Sequence, residues 1–421
     1  MQTTNIECFL RNDNILNKIN KQFISLNFDE VRHNNPYLIK IFEQLIEAMR
    51  RQSPLFDKTF QRIIWAGSYY KKTRVGEPEE YDINFVINLP FKERDIEFIS
   101  DCPGFIEIRT PWRERNMSYN TLNLTKEAQK ELNSFIDNES YLNQDKFRAW
   151  MEGILSRVAK ETSKSDRIIL LNGVPITRIK TGPAFTLKIQ FEVSGKLIDI
   201  DVVPVLTFST CNPPPRCSEM SILKDYLRGS RYWSAVPKPL NNSRTQFNDE
   251  LYRYWRLCFY EIEKDILDRH GRAKPIIRLL KKLRDTQKWN IASYYIETLC
   301  LNELDIFLNS NKSDTSLFFT MIQKLREAFR QGRIRYFWDK DLNLLEQIKS
   351  STMKCMFGSI DRIINKIEKT IADDKYAIAK VILNTSELNA LISSIDQSSE
   401  SEPEPDFGSI NNIHFKLFSR L

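Results

Sequence analysis

Glu80 and Asp82 stand two positions apart at the head of a run from Tyr81 to Leu89 in which Ile83, Phe85, Ile87 and Leu89 share one face. That period predicts a β-strand, and a strand presents both carboxylates on one side. Like charges so placed repel unless a cation sits between them. Mg²⁺ answers that need, being a hard ion held by one or two carboxylates together with phosphate and water oxygens. Upstream, Gly67-Ser68-Tyr69-Tyr70 follows the apolar Ile63-Ile64-Trp65 and reads as a tight turn opening a short helix. Such a turn offers a triphosphate backbone N–H groups, a hydroxyl and the positive end of a helix dipole. A phosphate cradle followed by a metal-binding strand is the order that nucleotidyl transfer requires.

A third carboxylate comes from a second alternating run, Lys196 to Leu206, where Asp199 and Asp201 share a face against Ile198, Ile200 and Val202. With Glu80 and Asp82, Asp201 completes a site for two Mg²⁺ ions, with Mn²⁺ as the alternative, that activates an attacking hydroxyl and stabilises departing pyrophosphate. Any single Glu-x-Asp is more often the acidic outer face of an amphipathic strand. Three linked elements in this order favour the chemical reading.

The pattern of Gly-Ser, eleven residues, Glu-x-Asp and a distant Asp in an apolar strand resembles the nucleotidyltransferase superfamily. Its surroundings, including Gly182-Pro-Ala-Phe-Thr186, resemble cyclic GMP–AMP synthase and the animal cGAS-like receptors. The resemblance runs over roughly residues 37–350 with gaps. It implies an α+β, bilobal nucleotidyltransferase fold: a mixed β-sheet catalytic lobe with a long spine helix, packed against a helical-bundle lobe. It implies ATP and GTP as substrates of a cyclic dinucleotide synthase, an innate immune sensor switched on by nucleic acid. Residue by residue, Arg278-Leu-Leu-Lys281 matches a helix whose second cation meets substrate phosphates, so Lys281 inherits that role. Ser293 in Ala292-Ser-Tyr-Tyr295 would bond a phosphate and Tyr294 would stack on a base. Arg256 matches an arginine that reaches base or phosphate, and Gly67 and Ser68 hold the donor triphosphate. Lys274 and Arg278 would fall on the nucleic-acid backbone, joined by Lys282 and, at the edges of the groove, by Arg50 and Lys71.

Two departures bear on the ligand. The zinc-binding thumb of cyclic GMP–AMP synthase is replaced by Gly271-Arg-Ala-Lys-Pro275, so no zinc is expected and double-stranded RNA is favoured over DNA, read through its A-form backbone. Val203 replaces a threonine two residues beyond the third carboxylate, and Cys258 replaces a serine, which leaves base choice and linkage open.

The elements that must position these groups are legible in outline. Asn34-Asn35-Pro36 reads as a cap and first-turn proline before a spine helix with Leu38, Ile41, Phe42, Leu45, Ile46 and Met49 on its stripe, ended by Arg50-Arg51. Capping is the ordinary role of those arginines. The loop bearing Lys71, Lys72 and Arg74 is basic, which suits a segment rearranged when nucleic acid binds. Gln144 to Ala159 predicts a helix, and 173–206 a strand pair turned at Gly195. Proline-rich 207–245 marks the lobe boundary. From Asn248, Leu251, Tyr254, Trp255, Cys258, Phe259 and Ile262 recur at helical spacing. The domain plan is therefore 1–245 catalytic lobe with spine helix, 246–391 helical lobe, and 392–421 an acidic disordered linker and a tail.

Composition bounds the rest. The 421 residues exceed one simple core, and 41% hydrophobic content supports dense packing. Net charge is +7, and Arg269–Lys288 alone carries eight basic residues against Asp285. That density favours phosphate-backbone binding over a merely solvated face. Seven cysteines without a CxxC pair, and three histidines, speak against zinc and for a reducing cytoplasm. No signal peptide and no membrane span are expected. Two other functions fit the same residues: a synthase of linear oligonucleotides like oligoadenylate synthase, and an inactive nucleic-acid-binding scaffold. A dimer on nucleic acid is a further expectation.

Overall fold

The computed structural model describes residues 6–25, 28–76, 80–111, 122–181, 184–190, 195, 197–225, 231–240, 249–308 and 311–400. Among these residues ten strands join in one sheet: β1 (Phe60–Ala66), β2 (Glu80–Ile87), β3 (Glu97–Ile99), β4 (Phe105–Arg109), β5 (Ile168–Leu171), β6 (Val174–Thr181), β7 (Ala184–Gln190), β8 (Leu197–Ser209), β9 (Tyr232–Val236) and β10 (Tyr254–Cys258). The main path runs β3-β4-β10-β9-β8-β7-β6-β5, and β2 joins β8 to β1. β8 organises the sheet. One edge pairs antiparallel with β7 and then β9, while the other pairs parallel with β2. The expected strand pair over 173–206 is thus three strands, β6 to β8; Gly182, Pro183 and Lys196 at their turns lie outside the described residues.

The spine helix, Phe28–Gln52, lays Leu38, Ile41, Phe42, Leu45 and Met49 on the sheet. Phe42 meets Trp65 of β1 and Phe85 of β2 edge-to-face at 6.2 and 6.1 Å, one of the favoured aromatic geometries. The helix starts ahead of Asn34-Asn35, so Pro36 lies inside it rather than at its first turn. The ring is exposed, and the apolar stripe that follows it supplies the burial that holds the helix.

Three expectations are corrected. Residues 254–258 form β10, between β4 and β9, rather than helix. Trp255 and Leu257 point into the core while Tyr254, Arg256 and Cys258 do not, and that alternation of two fits a five-residue run as well as the helical spacing does. Residues 385–400, which include most of the expected linker, form a helix, Thr385–Glu400, seated on Leu391. The remainder, 401–421, lies outside the described residues. Residues 6–25 pack on the helical lobe rather than the catalytic one: Asp13 accepts from the amides of Asp314 and Thr315, capping the helix Asp314–Gln331.

Further helices of that lobe include Tyr260–Arg269, Ala273–Thr286, Ser293–Leu301 and Ser350–Thr370. In Ala273–Thr286 the buried stripe Ile276, Ile277, Leu279, Leu280 and Leu283 faces inward. Among the described residues no helix is long and apolar enough to cross a membrane.

Candidate active site

Parallel pairing of β2 with β8 sets the site. Asp82 stands opposite Asp201 in register, and Glu80 opposite Asp199. The two members of β8 have different neighbours. Lys188, opposite Asp199 on β7, donates to both its oxygens at 2.8 and 2.6 Å. Asp201 faces Thr186, whose hydroxyl donates to Oδ1 at 2.6 Å and leaves the second oxygen available. The choice of Asp201 over Asp199 therefore rests on β7.

Gly67 closes the site from above. Its φ of +73° suits glycine, and a Cβ there would fall 1.8 Å from Asp82 Oδ2. The backbone of the Gly-Ser turn thus runs directly over the carboxylate, because Ala66 at the end of β1 pairs with Asp82. Partial desolvation beneath the glycine turn pushes the Asp82 carboxyl above its ordinary value although the residue keeps an exposed side, Asp201 adds to the rise, and Arg74 opposes it. Like charges at this spacing are the condition a cation relieves. Among the described residues, no three carboxylate, histidine or cysteine side chains gather as a metal cage. Two of the three expected ligands are paired in register, with Glu80 exposed at the start of β2. The donors are hard oxygens, so the residues suit a hard divalent cation.

Glu80 and Asp82 line a cavity of roughly 1820 Å³ between the lobes, larger than the ~300–1,000 Å³ of an ordinary small-molecule site, with Asp201 beside them on β8. Its lining holds Gly67, Ser68, Glu80, Asp82, Arg256, Lys281, Ser293 and Tyr294. The expected nucleotide contacts therefore face one space. Val203 and Cys258 line it too, where no hydroxyl is on offer. Arg256 lies over the rings of Tyr336 and Phe105, 4.5 and 5.2 Å from their centroids, a cation–π seating that fixes the guanidinium. Ser293 accepts from Arg284 at 2.6 Å, which directs its own proton elsewhere. Tyr294 donates to Glu263 at 2.7 Å.

Lys71 and Lys281 are where the structure departs furthest from expectation. Lys71 is 4% exposed, its ammonium 2.5 Å from Glu263 and 3.3 Å from Glu297. It faces no nucleic acid. Lys281 is 3% exposed and donates to Glu297 at 2.5 Å and to the Thr73 carbonyl at 3.0 Å. The other expected nucleic-acid contacts are also engaged: Lys274 with Asp268, Lys282 with Glu387, Arg50 with Asp57, and Arg278 with the carbonyl of Lys72. A charge-dense helix beside acidic neighbours pairs with them, which composition alone does not reveal. Lys72, Arg269 and Lys288 are more exposed.

Sequence reasoning missed Lys238, which lines the cavity near Arg256, as well as Arg284, Glu263 and Glu297. None stands in a spacing that signals chemistry. Thr186 was within reach, as the last residue of the Gly182–Thr186 motif.

Residues 69–269 match the Mab-21 protein nucleotidyltransferase domain, and 272–362 match the Mab-21 protein HhH/H2TH-like domain. A cyclic GMP-AMP synthase-like receptor of Microplitis demolitor is 34% identical over 94% of this chain and 72% of its own length. Namesakes from Aethina tumida and Ctenocephalides felis are 33% and 32% identical, over 89% and 91% of this chain and 92% and 90% of theirs. The chain belongs to the cyclic GMP-AMP synthase-like receptors. Its α+β fold carries the nucleotidyltransferase domain of that family, with the junction between the two matched domains falling at the turn after Arg269, beyond the last strand of the sheet.

Proposed function

We propose that this protein joins ATP and GTP into a cyclic dinucleotide of the cyclic GMP–AMP type when double-stranded RNA binds it, acting as an immune sensor in the cytoplasm. The observation that carries the reading is the register of Asp82 with Asp201 beneath a glycine turn that tolerates no side chain. Glu80, Asp82 and Asp201 would hold Mg²⁺, which supplies Lewis-acid stabilisation of the transferring phosphoryl group and a more acidic attacking hydroxyl. Ser68 and the amides of the Gly67 turn bind the donor triphosphate. Ser293 bonds phosphate, Tyr294 and Arg256 flank the bases, and the cavity has volume for a donor and an acceptor together. Thr186 orients Asp201. Family membership supports the activator and product classes, since the relatives bear the name of a cyclic GMP-AMP synthase-like receptor. Duplex RNA would engage the exposed Lys72, Arg269 and Lys288, and draw Lys274, Arg278 and Lys282 from their internal partners.

The test is incubation with ATP, GTP and Mg²⁺ alone, with duplex RNA, and with duplex DNA, followed by product analysis. A phosphatase-resistant cyclic dinucleotide appearing only with RNA is expected. A phosphatase-sensitive linear oligomer would replace the cyclase reading by an oligonucleotide synthase, and no product in any arm would leave a binding scaffold.

A further inference from the structure

Lys71, Lys281, Glu263 and Glu297 form a buried four-charge cluster in the wall of the cavity that Glu80 and Asp82 line. Lys71 follows directly on the helix Gly67–Tyr70 that the glycine opens, and its amide bonds the Gly67 carbonyl at 3.4 Å. Its ammonium lies 5.1 and 5.4 Å from the ring centroids of Tyr260 and Tyr294 and is bonded to both glutamates. Burial alone would lower its pKa, but Glu263 and Glu297 outweigh that and hold it above its ordinary value. Two further stitches run from the same loop. Thr73 bonds Ser68 through its backbone at 2.8 Å and Glu297 through its hydroxyl at 2.7 Å, and the Tyr260 hydroxyl reaches the Gly67 carbonyl at 3.5 Å. Glu263, Lys281 and Glu297 belong to three different helices of the helical lobe. The turn that must sit over Asp82 is thus laced to the opposite lobe through Lys71, Thr73 and Tyr260, and Lys71 is the cation that joins both glutamates.

We propose that Lys71 is a positioning residue: by clasping Glu263 and Glu297 it fixes the Gly67–Ser68 turn over the carboxylates, so turnover depends on a cation that does not touch substrate. This rests on the nucleotidyl-transfer reading of the cleft. The clasp also spans the lobes, so it can transmit a displacement of the helices to the phosphate turn. A misplacement near 1 Å at such a turn is enough to cost turnover on the order of a hundredfold.

The experiment compares wild type with Lys71→Met, Lys71→Arg and Glu297→Gln by hydrogen exchange of peptides covering 63–76 and 350–370 and by steady-state kinetics with ATP, GTP, Mg²⁺ and duplex RNA. Lys71→Met is expected to speed exchange at 63–76 while leaving 350–370 unchanged, and to lower kcat about tenfold or more with KM within about threefold, as loss of orientation does. Lys71→Arg should restore most of both. If Lys71→Met does not fold, Glu297→Gln must still loosen 63–76, a segment far from it in sequence. Unchanged exchange at 63–76 in both variants, or a loss confined to KM, overturns the proposal. The exchange result is independent of turnover, so an inactive wild type would sink the functional reading while the clasp stood or fell on exchange alone.

Discussion

Two charged clusters share the cleft and have opposite constitutions. On its floor Asp82 and Asp201 face each other in register, acid against acid, with Asp82 open to solvent. In the wall, Lys71, Lys281, Glu263 and Glu297 are each under 5% exposed and balance one another. The first is a charge deficit that a ligand completes. The second is complete already, so it serves architecture, because a buried pair broken at one partner costs far more than the intact pair contributes. Charged residues near a site therefore cannot be sorted by sign alone; what matters is whether their partners are protein.

The comparison breaks most sharply at Asp82. Asp82→Asn should lower nucleotide turnover by about a thousandfold, roughly 4 kcal/mol of barrier, with an unchanged or raised melting temperature because repulsion from Asp201 is relieved. A loss of turnover with a matching loss of stability would mean the floor is structural after all. Gly67→Ala should follow: its Cβ would meet Asp82 Oδ2, so turnover falls by about a hundredfold and stability by about 1–3 kcal/mol, read by kinetics and urea denaturation.

Glu297→Gln tests the wall. Burial would raise this carboxyl, but Lys281 and Lys71, with hydrogen bonds from Lys281 and Thr73, hold it down to about 2, well below the ordinary 4.5. A carboxyl depressed on folding stabilises the native state above its unfolded pKa and loses that contribution as pH falls towards the folded one. Wild type should therefore lose stability between about pH 5 and 2, and Glu297→Gln should be about 3 kcal/mol weaker at pH 7 with a flatter acid limb in denaturation against pH. Smallest is Thr186→Val, which frees Asp201 from its hydrogen bond. Apparent Mg²⁺ affinity should drop about tenfold, seen by metal titration of turnover, with little change in melting.

What the sequence showed of the floor followed from local rules. Alternation about Glu80 and Asp82 gave β2, and Gly67-Ser68 gave the turn, because both depend on neighbours within a few positions. Asp201 was chosen over Asp199 on the motif alone; the physical difference between them, Lys188 against one and Thr186 against the other, lies one strand away. The wall was illegible for the same reason carried further: Lys71 meets Glu263 and Glu297 across 192 and 226 positions. Basic density on Ala273–Thr286 suggested an outward face, yet Lys281 lies on the buried stripe, where a partner from the next helix makes burial tolerable. The run about Trp255 is too short for periodicity to separate strand from helix.

Trp338 gives the wall an optical handle. Its indole N–H donates to Glu263 at 2.8 Å and its ring stacks on Phe259 at 4.1 Å, fully inside the protein. Any loosening of the carboxylate that Lys71 grips alters the electric environment of that chromophore. Although the chain holds seven tryptophans, the difference in emission between wild type and Trp338→Phe isolates this one. The latch between the lobes thus carries its own fluorescent reporter, readable as duplex or nucleotide is added.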